Sequence, residues 1–425
     1  MMTQAFYTGI SGLKVYSNGI DVISDNLANI STTGFRAYDA QYSSLFESTL
    51  SSASSNLLQS NTVGVGVQMQ TTAMSLEQGT ISLSDKSTDL AIMGDGWFGI
   101  EKKDGKPLFT RAGDFVFDAN NDLVTNDGYY VLGTMGKNIS ADNILTKSLV
   151  EVPLGDITQQ SKLRFPKTLT FPPQPTKQAK FMANLGVGKE GHEVITVGAS
   201  VIDAQNSRNE LKLTFTRSAI QTPPGTQWDV VATVKSLDGE TIYDTKNGKV
   251  AFDEGGALIS STLSSINNNG TNIAIDLGKG YDGIVSIDIP VVSGSSTADG
   301  IKGGELQGYS INQNGEVIAT FTNGMQSSVG KIAVYHFQND QGLERISGTR
   351  FAQSSNSGKA IFYKDANGKN ILGTEIANFR LEGSNVEMSE GLTELIILQR
   401  AYDANSKSVT TADQMIQKAL SMDAR

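Results

Sequence analysis

The sequence predicts a mainly β fold with terminal α-helices. The N- and C-terminal helices form a coiled-coil-like domain, and nested β-rich inner and outer domains lie between them. Three observations predict it. Both ends place apolar residues at steps of three and four, which aligns them on one stripe of a helix. The middle alternates polar and apolar residues in short runs, broken by Asp-Gly and Asn-Gly turns. The strand style of the first β-rich stretch returns after a dissimilar insertion.

The first helix is expected over residues 3–30, with Phe6, Ile10, Leu13, Tyr16, Ile20, Ile23, Leu27 and Ile30 on its stripe. Gly9, Gly12 and Gly19 lie inside it. Each costs up to about 1 kcal/mol relative to Ala, and each also lets another helix approach closely. The helix should stop near Ser31-Thr32-Thr33-Gly34, where β-branched residues meet a glycine. The last helix is expected over residues 388–422, with Met388, Leu392, Leu395, Tyr402, Val409, Ile416, Ala419 and Met422 on its stripe. A lone amphipathic helix is marginal in water, so each end needs a partner: the other end, copies of itself, or both.

Residues 43–62 are serine-rich with sparse apolar positions and read as a connector. Strand signals begin at Val63 and run through Gln68–Thr71, Thr80–Ser84, Leu90–Met93, Trp97–Ile100, Phe115–Phe117 and Tyr129–Leu132. Prolines 166, 172, 173 and 175 mark a boundary. A second β-rich stretch follows, with strands at 211–215, 228–231, 273–275 and 284–287. Residues 293–304 hold almost no large apolar side chain, and beyond them the first strand style resumes at 309–335. The expected domains are 1–33 with 384–425 (helical assembly), 34–75 (connector), 76–175 with 300–383 (inner β) and 176–299 (outer β).

Composition narrows the chemistry. The chain has 425 residues, no cysteine and two histidines, His192 and His336. Disulfides and thiolate metal sites are excluded, and a histidine-rich metal site or conventional triad is hard to build. A formal charge of −10 argues against nucleic acid and against an anionic lipid surface as partners. No stretch is long and apolar enough to span a bilayer. The amino terminus lacks the basic and apolar regions of a cleaved secretory signal, so residence in the cytoplasm or export by another route is expected.

Two motif matches are weak. Gly94-Asp95-Gly96-Trp97-Phe98-Gly99 fits G-x-G-x-x-G, but a strand and turn follow where a dinucleotide site needs a helix, so a tight turn is expected. Asp118-Ala119-Asn120-Asn121-Asp122 begins like a calcium loop, but Leu123 and Tyr129 stand where Gly and Glu are required, so a hairpin is expected. His336 lies in an alternating run and reads as an ordinary strand residue. No catalytic constellation emerges, and no cofactor or metal is expected.

Residues 22–35, VISDNLANISTTGF, closely resemble the signature of the bacterial flagellar rod and hook axial protein family. Its residues here are Asn26, Leu27, Ala28, Asn29, Thr32, Gly34 and Phe35. Asp89–Phe98 with Phe109–Phe115 look like the inner β-domain of that family, and Gly304–Gly324 with Phe337–Leu343 like its returning half. Ser384–Glu387 and Gln399–Ser406 are similar to its terminal helix. The resemblance covers about 1–135 and 304–425; residues 176–299 carry no matching motif.

The resemblance implies a structural subunit, not an enzyme, that polymerises into a helical tube of many copies. It implies that Phe6, Ile10, Leu13, Ile20, Ile23, Leu392, Leu395, Tyr402, Val409 and Ile416 serve self-assembly. The large insertion favours a subunit of the hook, the flexible joint between rod and filament, since rod members lack one. Residues 399–416 also resemble the distal rod, so a rod or rod–hook junction paralogue stands as the alternative. A secreted β-rich binding module or hydrolase at 176–299 is a third reading, for which the sequence offers no site. Implied partners are the flagellar rod, the hook cap, hook–filament junction proteins and the type III export apparatus. Implied residence is the extracellular hook and basal body.

Overall fold

The computed structural model describes residues 2–45, 48–49, 62–63, 66–102, 105–187, 194–221, 225–289 and 294–423. His192 and most of the 43–62 connector lie outside the described residues. The fold is mainly β with one long helix at each end.

Helix α1 spans Met2–Ala28 and helix α2 spans Met388–Asp423; neither contains proline. α1 gives way to a tight turn in which the Thr32 amide donates to the Asn29 carbonyl at 3.0 Å. α2 carries Glu390 in its first turn, where a negative charge suits the positive end of the helix dipole. The helices lie antiparallel: Gly9 sits by Val409, Gly12 by Asn405, Gly19 by Leu398, and Leu27 by Gly391. Tyr38–Ser44 pairs antiparallel with Val67–Met74, and this ribbon flanks α1 with Tyr42 beside Gly19.

The inner region is one large sheet with smaller pairs at its edge. Its hydrogen-bonded path runs Thr170–Phe171, Gly304–Ile311, Glu316–Phe321, Gln326–Ile332, Tyr130–Met135, Trp97–Glu101, Pro107–Thr110, Arg350–Ala352 and Glu344–Ser347. Strands from both flanks of the insertion alternate in it, so their side chains share one core, including Leu90, Phe98, Phe115, Val317, Phe321 and Ile376. The glycine motif is a turn between Leu90–Met93 and Trp97–Glu101, with Gly94 and Gly96 at φ +108° and +126°. Asp118–Asp122 turns between the paired strands Phe115–Phe117 and Leu123–Thr125. Two ladders, Glu375–Asn378 on Leu90–Met93 and Arg380–Glu382 on Ile81–Leu83, lead the chain from this sheet to α2.

The outer region is built on a five-stranded antiparallel meander: Val194–Ile202, Arg208–Arg217, Gln227–Ser236, Ile242–Phe252 and Leu258–Ser261. Alternate residues Leu211, Leu213 and Phe215 and their neighbours Val230, Ala232 and Val234 point inward and are fully buried. A four-stranded sheet covers that face, with Ala179, Phe181, Ile266 and Ile273 closing the core around Trp228. One of its strands, Ser296–Ala298, has no large apolar side chain and is held by backbone pairing to Gln178–Phe181.

Candidate functional site: the helix pair and its neck

The turn after α1 is built from short polar side chains. Asn26 is buried, accepts from the Tyr38 amide at 3.0 Å and donates to the Tyr38 carbonyl at 2.8 Å. It therefore pins the start of the following strand to the helix. Asn29 donates to the Asp25 carbonyl at 2.8 Å, and the Thr32 hydroxyl donates to Asn29 Oδ1 at 3.1 Å. Gly34 has φ +67°, and a Cβ there would lie 2.4 Å from the Ala112 amide nitrogen. Glycine is thus required both by conformation and by close approach. Phe35 is buried under it, whereas Leu27 packs on Gly391 and Ala28 is exposed.

Below the turn three segments meet at a buried ion triad. Glu382 Oε1 bonds Arg36 Nη2 at 3.0 Å, and Glu382 Oε2 bonds Arg111 Nη2 at 2.9 Å. Arg111 Nε also donates to Glu382 Oε2 at 2.9 Å, and its Nη1 donates to the Gly94 and Gly96 carbonyls at 2.8 and 2.6 Å. Arg36 donates to the Glu77 carbonyl, and the Gly79 amide donates to Glu382 Oε1 at 3.1 Å. All three side chains are at most 5% exposed, so breaking the set would leave a charge unpaired away from water. Burial brings the Arg36 guanidinium down to about 10, and the Glu382 carboxylate opposes that fall.

Further bonds tie the neck together. Asn385 accepts from the Ala37 amide at 2.7 Å and donates to the Glu77 carbonyl at 2.9 Å. Arg345, from the inner sheet, reaches Asp25 of α1 at 2.8 Å and lies over the rings of Phe35 and Tyr38. The path from helix to sheet is therefore cross-braced by side chains from both strands of the neck.

The helix pair meets along a glycine seam. Cβ atoms at Gly9, Gly12 and Gly19 would lie 2.6 Å from Val409 Cγ2, 2.6 Å from Asn405 Oδ1 and 2.3 Å from the Tyr42 hydroxyl. The three glycines are close-approach positions, and the room they leave is filled by α2 and the adjoining ribbon. On α2, Gly391, Leu398, Asn405 and Ala412 recur every seven residues, the repeat of a coiled-coil seam.

Of the expected self-assembly residues, Ile23 is buried; Phe6, Leu13, Ile20, Leu395, Val409 and Ile416 are half-buried; Ile10, Leu392 and Tyr402 are exposed. Tyr7, Met388, Ile396 and Ile397 are exposed as well. Sequence reasoning missed Val15, Leu398 and Ala412, all buried. It also missed Asn405 and the triad, since no spacing rule joins positions 36, 111 and 382. His336 is buried, with Nε2 2.7 Å from the Leu372 carbonyl, and burial lowers its basicity.

Comparison with known proteins fits this geometry. Three family models match in order: "Flagella basal body rod protein" at 6–36, "Flagellar hook protein FlgE/F/G D1 domain" at 91–168, and "Flagellar basal body rod FlgEFG protein C-terminal" at 378–422. Each matched segment supplies one member of the triad. The chain is 29% identical to flagellar hook protein FlgE of Borreliella burgdorferi, covering 98% of this chain and 99% of the relative. It is 26% identical to that of Treponema pallidum, covering 99% and 100%. A crystal structure of Helicobacter pylori flagellar hook protein FlgE2 is similar at TM-score 0.49 and 17% identity, over 69% of this chain and 98% of that one. No helix among the described residues is long and apolar enough to cross a membrane. The chain is thus similar to flagellar hook proteins over nearly its whole length, and it matches the rod and hook family models at both ends and in the inner region.

Proposed function

We propose that the protein is the structural subunit of the tubular flagellar hook, the flexible joint that passes torque from rod to filament. One observation carries the reading. The two chain ends pair with each other and still leave Tyr7, Ile10, Leu392, Ile396, Ile397 and Tyr402 facing solvent. Exposed apolar side chains on a long helix pair call for neighbours, and many copies around a tube would supply them. Phe6, Leu13, Ile20, Ile23, Leu395, Val409 and Ile416 act with them, some within the pair and some at its rim. Asn26, Asn29, Thr32, Gly34 and Phe35 act by fixing the angle at which the helices enter the inner domain.

The neck then carries load. A twist applied to the helices reaches the inner sheet through the Arg36–Glu382–Arg111 triad and the Asp25–Arg345 pair, both stiffer than a free linker. Residues 1–33 with 384–425 serve as the assembly domain, 76–175 with 300–383 as the inner domain and 176–299 as the outer one. Similarity to hook proteins runs through 176–299, which favours the hook over the rod-type alternative. Rod, hook cap, hook–filament junction proteins and the type III export apparatus are the partners this role requires. Electron micrographs of the purified, polymerised chain test it: curved, bendable tubes are expected. Short straight tubes would favour the rod reading, and a chain that stays monomeric would contradict both.

A further inference from the structure

Phe379 is held in a backbone conformation that aromatic residues avoid. Its φ is +55°, in the left-handed region where a Cβ is strained, yet the residue is 42% exposed. The neighbouring backbone enforces this. The Ser84 amide donates to the Phe379 carbonyl at 2.8 Å, the Arg380 amide donates to the Asp89 carbonyl at 3.3 Å, and Asn378 donates to the Ile311 carbonyl at 2.9 Å. Leu83, opposite Arg380 in the ladder, is 82% exposed. A glycine at 379 would remove the strain, and a polar residue would suit the solvent. Retained strain at an exposed aromatic points to a role outside the isolated chain.

Arg380 beside this knob is exposed and forms no ion pair among the described residues. Elsewhere on the neck, a cleft of about 240 Å³ at the foot of the helix pair collects Asp39, Glu77, Glu387, Glu390 and Glu394. None of the five carboxylates is in an ion pair among the described residues. Burial, with Asp39 and Glu390 nearby, raises the Glu394 carboxyl above its ordinary range. Met388 and Leu392, on the same turns of α2 as these glutamates, are largely exposed. The chain thus carries an apolar knob beside a cation with no ion-pair partner among the described residues, and an anionic cleft with apolar neighbours.

We infer that Phe379, Leu83 and Arg380 form a docking knob for a second copy of this chain, with Arg380 seated against the carboxylates of that copy's neck cleft. The inference rests on the polymer reading above and names one contact within it. Knob and cleft are different surfaces, so the contact is head-to-tail, the kind that builds an open helical polymer when its rotation does not close a ring. Arginine is among the residues enriched where binding energy concentrates at protein interfaces, and aromatic residues are enriched at interfaces generally.

The test compares polymerisation of the full-length chain with three variants, by sedimentation at rising protein concentration. Arg380→Glu is expected to raise the concentration needed for assembly about tenfold or more, since like charges would then face each other. Combining it with Glu390→Arg and Glu394→Arg is expected to restore most of that loss. Phe379→Gly is expected to keep or raise the melting temperature of the monomer while weakening assembly, two effects of opposite sign. Normal assembly of Arg380→Glu and Phe379→Gly would overturn the knob, and failure of the charge exchange to restore assembly would overturn its pairing with the cleft. A wild-type chain that never polymerises would instead overturn the reading on which the inference rests.

Discussion

Arg111 and Glu382 form a buried ion pair at 2.9 Å although 271 residues separate them in the chain. Arg36 completes the set from the far side of the carboxylate. The pair joins the strand that leads into α2 to the turn at Gly94 and Gly96 in the inner sheet. Removing the carboxylate would strand two guanidinium groups in a dry site. Glu382→Gln should therefore destabilise the chain by about 3 kcal/mol or more, as losing one partner of a buried pair does. Denaturant unfolding would measure it; a loss under about 1 kcal/mol, the range of exposed pairs, would contradict the load-carrying role of the triad.

The glycine seam makes a prediction against helix propensity. Gly12→Ala improves an isolated helix by about 1 kcal/mol. Here the added Cβ meets Asn405 Oδ1 at 2.6 Å, so α1 and α2 must part or Asn405 must turn away. A net destabilisation of about 1–3 kcal/mol is expected, with part of it recovered when Asn405→Ala is added. Melting curves of the single and double variants decide it, and a more stable Gly12→Ala chain would show that the seam is loose.

Asn26 offers a local test of the neck. Its amide group makes two bonds to the backbone of Tyr38. Asn26→Ala leaves both backbone groups short of a partner, at about 1–3 kcal/mol for each that water cannot reach. Hydrogen exchange at the Tyr38 amide should accelerate in step with the fall in stability. Unchanged exchange there would mean that the turn is held by other contacts.

The pH dependence follows from His336. Burial lowers its pKa from the ordinary 6.5. The unfolded chain takes up a proton below that value before the folded chain does, so the folded state loses stability as pH falls from about 6.5, by at most about 1.4 kcal/mol per unit. Above 6.5 the contribution is fully present. His336→Gln should flatten that slope while other acid effects remain. Urea midpoints between pH 7 and 5 would show it, and identical slopes in the two chains would contradict it.

Much of the architecture was legible because it is local. Steps of three and four gave both helices, and Asp-Gly and Asn-Gly turns gave hairpins such as that at Asp238-Gly239. The turn at Asn29–Gly34 was readable because its chemistry lies within six neighbouring residues. What periodicity could not separate was which apolar residues face inward. Ile10 shares a stripe with the buried Ile23 yet stays exposed, and Tyr402 is exposed on the stripe of α2, since the narrow seam is made by glycines and by Val15, Leu398 and Ala412. The seven-residue recurrence at 391, 398, 405 and 412 was the available signal, masked by its polar and small members. The triad had no local signal at all, because its geometry exists only once distant strands are paired. The strand Ser296–Ala298 was hidden for a related reason: backbone pairing, a Ser296 hydroxyl bond to the Gly198 carbonyl and the small Ala298 side chain hold it, and none of these leaves an alternating pattern of large apolar residues.

If the paired ends are the assembly element of a tubular polymer, losing either end abolishes the tube. The most direct measurement is sedimentation and electron microscopy of the full chain beside chains lacking residues 1–30 or 390–425. Curved tubes are expected from the full chain, and soluble monomers with intact β-domains from both truncations. Tubes that form at normal efficiency after either deletion would contradict it.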